Sequence, residues 1–170
     1  MRRAVAFAGI TVLVSALAPV LAPAAGAKTT VAFQAEFKYT VGIAASKPCA
    51  HFLCGEGTVV GFGDATSTVD LTSFAPPTEG TNCGLFTTDE TITLASDGST
   101  LQLEESGTVC FPGSSFEVAS ATNGPYEADG TFTVRFGTGV FQGAKGSGTV
   151  DARAAGDEQH ETLSGTLTLP

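Results

Sequence analysis

The sequence predicts an all-β fold, a closed antiparallel barrel of about eight strands, with a two-sheet β-sandwich as the alternative. Three observations carry that prediction. Short runs in which apolar and polar residues alternate recur along the chain, which is the period of a strand with one buried face. No segment after residue 27 keeps apolar residues at helical spacing for three turns. Gly, Pro, Asn and Asp punctuate the runs, and the 170 residues include 21 Gly and 8 Pro, enough to turn the backbone after each short strand. A meander of many strands must hide its edges, and closure removes them.

The first element lies outside that fold. Arg2 and Arg3 precede an apolar run beginning at Ala4, and Ala25, Gly26 and Ala27 close it with small residues. This is the order of a secretory signal peptide over residues 1–27. Pro19 and Pro23 interrupt the run, no basic stop-transfer cluster follows, and the residue directly after Ala27 is Lys28, not a cysteine, so no stable membrane anchor is predicted. Residues 28–170 then form a single secreted, extracellular barrel domain. Its six basic residues against 17 acidic ones give a formal charge of −11. Such a surface repels phosphate backbones, which excludes nucleic acid as a partner.

The strands follow in order. Phe33, Ala35, Phe37 and Tyr39 alternate with Gln34, Glu36 and Lys38, an aromatic row on one face of a first strand. A second is predicted from near Gly57, carrying Val60 and Phe62, and a third through Val69 and Leu71, stopped by Pro76 and Pro77. Residues 74–84 read as a long loop. Leu85 to Val109 reads as a hairpin, with Ile92 and Leu94 answering Leu101 and Leu103 across an Asp97-Gly98 type I′ turn, so that facing positions sum to about 195. Further strands are expected at Ser115–Ala121, Tyr126–Phe136, Gly148–Arg153 and Glu161–Leu169. Phe132, Val134 and Phe136 share one face, as do Leu163, Gly165, Leu167 and Leu169.

The four cysteines, Cys49, Cys54, Cys83 and Cys110, all follow the signal, and an even count in an oxidising compartment predicts two disulfides. Sequence nearness favours Cys49 with Cys54. Cys83 and Cys110 meet at the open end of the hairpin if one bulge or a diagonal offset shifts the register.

The segment Phe136-Gly-Thr-Gly-Val-Phe-Gln-Gly-Ala-Lys-Gly-Ser-Gly-Thr149 resembles the glycine-rich strand connection of allene oxide cyclase-like and dirigent-like barrels, and Leu163-Ser-Gly-Thr-Leu-Thr-Leu-Pro170 extends the likeness. The layout is similar to that of secreted bacterial proteins of this barrel type. The resemblance implies an eight-stranded antiparallel barrel and allows a cyclase-like or coupling-directing activity; no functional residue of those families carries over. Read physically, Gly137, Gly139, Gly143, Gly146 and Gly148 permit close backbone approach while Phe141 plugs the barrel end, so the segment is expected to close the fold. It fits neither the dinucleotide fingerprint nor the phosphate loop, because Lys145 precedes Gly146.

Candidate chemistry is sparse. Cys49-Ala-His-Phe-Leu-Cys54 has the residue types of a zinc site, but oxidation of the thiols removes them as ligands, so no metal is predicted. His51, Phe52 and Leu53 are instead expected as an exposed tip at one barrel mouth that offers a contact surface. Only His51 and His160 supply imidazoles, no Gly-x-Ser-x-Gly elbow occurs, and His160 falls in a polar run read as a solvated turn, so no catalytic residue is assigned. The hairpin register places Glu90 nearly opposite Glu105, with Asp89 and Glu104 close by. Like charges so placed repel; exposure to water, bound calcium or a raised pKa would relieve them, and exposure is the expectation.

With no cofactor implied, the expected function is non-catalytic: binding of a small apolar ligand, or of a surface protein through the mouth loops. The alternative is a cyclase- or isomerase-like or dirigent-like enzyme working in the barrel cavity, which a pocket lined by Tyr39, Tyr126 or a buried Glu would favour.

Overall fold

The computed structural model describes residues 28–41, 50–78, 81–113 and 124–170. Eight antiparallel strands, β1 (Thr29–Val41), β2 (Leu53–Val59), β3 (Gly63–Ala75), β4 (Cys83–Leu94), β5 (Thr100–Cys110), β6 (Tyr126–Gly137), β7 (Lys145–Ala155) and β8 (Glu158–Leu169), pair in chain order. The first and last strands close the ring, from Thr29 opposite Leu169 to Thr40 opposite Glu158. Among the described residues no helix is long and apolar enough to cross a membrane. The predicted signal segment 1–27, residue Cys49 and the predicted strand 115–121 lie outside the described residues.

Period-two burial builds the wall. Phe33, Ala35, Phe37 and Tyr39 are buried while Gln34, Glu36 and Lys38 are exposed, as the alternation on β1 predicts. Where the expectation fails, a bulge or a turn has shifted the phase. Strand β2 begins at Leu53 and ends at Val59, so Val60 sits in the following turn, 62% exposed. On β6 the register to β5 slips between Gln102 and Leu103, and Phe136 is turned outward instead of following Phe132 and Val134 inward. A second slip, between Leu71 and Ser73 on β3, accompanies a half-exposed Leu71.

The β4–β5 hairpin corrects the predicted register by two. Ile92 faces Leu101, Glu90 faces Leu103 and Thr88 faces Glu105, so facing positions sum to 193 and Cys83 lies directly opposite Cys110 with no bulge between them. The Cys83–Cys110 disulfide joins them across a Cα–Cα distance of 4.0 Å. The predicted two-residue turn was too short: residues 95–99 form the loop, with Gly98 at a φ of +73°. Asp97 instead accepts hydrogen bonds from the backbone N–H and hydroxyl of Ser99 at 2.9 and 2.8 Å, an Asx arrangement that accommodates the longer loop.

The two ends of the barrel differ. At the end holding the β2–β3, β4–β5 and β6–β7 connections, a single 3-10 turn at Gly139–Phe141 folds inward. Phe141 is fully buried and its ring lies 4.8 Å from that of Phe62. Gly137 is needed there, because a Cβ would stand 2.2 Å from the carbonyl oxygen of Phe141. Above this plug Phe33 and Phe132 meet edge to face at 5.6 Å, among Ile92, Leu101, Leu103, Leu163 and Leu167. A Cβ on Gly148 would come within 2.5 Å of the Phe132 ring, so glycine makes room for that aromatic. At the opposite end a separate cluster of Val109, Phe111, Ala128 and Ala152 gathers Phe74, Phe86 and Tyr126.

Candidate functional site

Between the apolar lower half and the upper cluster lies a layer of buried polar side chains. The period-two rows carry them inward: Tyr39 continues the row of Phe33 and Phe37, Glu90 that of Ile92 and Leu94, Glu105 that of Leu101 and Leu103, and Glu161 that of Leu163 and Leu167. Glu90, Glu105 and Glu161 are 0%, 2% and 4% exposed. The expectation that Glu90 and Glu105 face solvent is therefore overturned, because an even spacing from buried leucines puts them on the inner face. Asp89 and Glu104 do point outward, and Glu104 pairs with Arg135 on the outer wall.

Tyr39 is the hub. Its hydroxyl lies 2.9 Å from Glu90 Oε1, 2.9 Å from Glu161 Oε1 and 3.0 Å from Ser67 Oγ. Gly55 on the neighbouring strand permits this pose, since a Cβ there would stand 2.6 Å from the Tyr39 ring. Ser67 donates to Glu90 Oε1 at 2.5 Å and Thr88 donates to Glu105 Oε2 at 3.0 Å. Above, Tyr126 donates to Gln159 Oε1, and Gln159 Nε2 donates to Glu161 Oε2 at 3.3 Å.

The charge balance of this layer is unusual. Three carboxyls gather here, while every described Lys and Arg is exposed and His51 is half-buried beside Asp70. Burial, then the charges of Glu90 and Glu161, push the Glu105 carboxyl well above the ordinary range. Burial and the Glu90 charge do the same to Glu161. Burial also raises Glu90, opposed by hydrogen bonds from Ser67, Glu105 and Tyr39. Burial and the charges of Glu90 and Glu161 hold the Tyr39 hydroxyl protonated. That single proton serves one acceptor at a time. With all three carboxyls ionised, Glu90 Oε2 and Glu105 Oε1 have no donor at all. A proton shared between them or a cation beside them removes the mismatch.

The residues singled out in the sequence lie elsewhere. Gly137, Gly139 and Phe141 stand at the plugged end; Gly143 has a φ of +75° in the same connection, and Gly146 and Gly148 line β7 against β8. At the other rim Phe52 is 43% exposed and His51 Nδ1 lies 2.8 Å from Asp70 Oδ2. Leu53, expected at an exposed tip, is buried as the first residue of β2. Cys54 is disulfide-bonded. His160 is exposed but sits within β8, opposite Lys38 and Arg153, so the predicted solvated turn is confined to Gly156 and Asp157 and the strand begins at Glu158. Sequence reasoning set Glu90 near Glu105 and named Tyr39 separately, without joining it to them, and missed Glu161, Ser67, Thr88 and Gln159. The available signal was phase: each sits an even number of residues from a buried apolar neighbour on its own strand.

Fold and site thus define an eight-stranded antiparallel barrel plugged at one end, with a carboxyl-rich layer beneath the other. The chain matches no family model, no curated protein and no solved structure.

Proposed function

We propose that this chain is a secreted small-molecule-binding barrel, taking an apolar ligand through the end opposite the Phe62–Phe141 plug. The observation that carries the reading is the difference in side-chain make-up between the two ends of the interior. Large side chains dominate the lower half, whereas the upper end buries Ala128, Ala152 and Ala154 beside Val109 and Phe111, with Phe74, Phe86 and Tyr126 only partly buried around them. Small residues backed by aromatics suit an apolar body, and mouths of small barrels are a common place for ligands. The likeness of residues 136–149 to allene oxide cyclase-like and dirigent-like barrels agrees with such use of the interior, as an analogy of fold.

One observation favours the second reading, an isomerase- or cyclase-like proton transfer in the same space. Tyr39 bridges two buried glutamates whose protons are held tightly, the kind of environment that supplies general acids and bases. Binding is common to both readings. Native mass spectrometry of protein secreted by its own source should show a retained organic mass, lost when Ala152→Phe fills the upper half. Wild-type protein that carries no organic mass, and gains none from an extract of its own medium, would retire the proposal.

A further inference from the structure

We infer that Glu90, Glu105 and Glu161 hold a hard divalent cation of the calcium class, with Tyr39 and Ser67 contributing to an all-oxygen shell. This goes beyond ligand binding at the mouth and does not depend on it. The geometry is that of a shell. One carboxylate oxygen from each glutamate lies within 4.8 Å of the others, which matches the width of an oxygen shell of radius about 2.4 Å around calcium. The Tyr39 hydroxyl stands 2.9 Å from oxygens of both Glu90 and Glu161, and Ser67 Oγ stands 2.5 Å from Glu90. Those separations are near the roughly 3 Å spacing of neighbouring ligands on such a sphere.

A second observation is independent of the clustering. Glu90 Oε2 and Glu105 Oε1 are buried oxygens that no hydroxyl, amide or basic side chain reaches, so that when both carboxyls are ionised neither has the partner that polar atoms so deep in a protein almost always have. No described Lys or Arg enters the layer to serve them. The donor set selects the ion class. Carboxylates and hydroxyls without imidazole or thiolate favour calcium over zinc, and a crowded dry layer disfavours magnesium, which keeps its waters. An ion here would tie together β1, β3, β4, β5 and β8, one ligand from each.

Terbium(III) replaces calcium and emits when a nearby tyrosine absorbs. The chain has two tyrosines and no tryptophan, which makes the readout local. The full secreted chain, stripped with EDTA, should bind one equivalent of terbium with sensitised emission that calcium displaces at about 1 mM or below. Tyr39→Phe should remove most of the emission and Tyr126→Phe much less. Glu105→Gln should weaken binding at least about tenfold, while Glu36→Gln on the outer wall leaves it unchanged. If Glu105→Gln fails to fold, wild-type protein still decides: saturating calcium should raise Tm by about 5 °C over EDTA. Equal Tm in calcium and EDTA, or terbium emission unchanged in folded Glu105→Gln, would overturn the site and leave a carboxyl layer held by shared protons alone.

Discussion

The lower and upper halves of this barrel are built on the same alternation of inward and outward side chains, yet they spend the inward positions differently. In the lower half Phe33, Phe132, Phe141, Ile92, Leu101 and Leu163 are each at most 1% exposed and apolar. In the upper half the same rows deliver Tyr39, Ser67, Glu90, Glu105 and Glu161 to positions just as deeply buried. Burying apolar groups stabilises a fold directly, whereas burying carboxyls costs free energy unless each finds a partner. The lower half therefore accounts for stability, and the upper half reads as a place where stability has been given up for chemistry.

The sharpest way to break that contrast is to empty the lower half. Phe132→Ala removes a ring packed against Phe33, Gly148 and Gly165. It should cost about 3–5 kcal/mol, measured as a loss of denaturation free energy at unchanged m-value. A loss below about 1 kcal/mol would mean that the lower core is not packed as described.

Much of the lower half was legible in the sequence, because an apolar residue at period two announces its own burial. Phe33 to Phe37 and Leu163 to Leu169 needed only counting. The errors came from features that reset the count: the bulge that turns Phe136 outward and the longer Asp97–Ser99 loop that moved the hairpin register by two. The upper half was harder for a different reason. Polarity ordinarily signals the outer face, so Glu90, Glu105 and Glu161 were hidden by their own charge. Glu161 was further disguised by Gly156-Asp-Glu-Gln-His, of which only Gly156 and Asp157 form the turn while Glu158, Gln159 and His160 are already the first residues of β8. Extending the Leu163 and Leu167 row backward by two would have found it.

A smaller effect, and one peculiar to the upper half, is the pH dependence of the cation-free protein. The Glu105 and Glu161 carboxyls are raised well above their ordinary value of 4.5. An acid whose folded value is raised binds its proton more tightly in the native chain. Its contribution to stability is full below the unfolded value near 4.5 and is lost as pH rises through the folded value. The EDTA-treated protein should thus lose stability from about pH 5 upward, at most about 1.4 kcal/mol per pH unit for each group. This is opposite to ordinary acid denaturation. Glu105→Gln and Glu161→Gln should each flatten the decline. Stability that rises over this range in EDTA would show that these carboxyls are not buried as charge-averse groups.

The smallest effect tests the boundary of the layer. Tyr126 lies at its upper margin, half-buried, with its hydroxyl donating to Gln159 Oε1. Gln159 in turn reaches Glu161 Oε2 through its amide nitrogen. Tyr126→Phe keeps the ring against Phe111, 6.3 Å away between centroids, and deletes only the hydroxyl. The change should cost about 1 kcal/mol, the net worth of one hydrogen bond whose acceptor can turn toward the mouth. Tyr39→Phe should cost more, since its hydroxyl meets two carboxyls and Ser67 where no water can substitute. The ratio of the two costs, read from paired denaturation curves, locates where the dry layer gives way to the mouth. If Tyr126→Phe cost as much as Tyr39→Phe, the Tyr126 hydroxyl would be as shut off from solvent as that of Tyr39, and the upper end would offer no mouth for ligand entry.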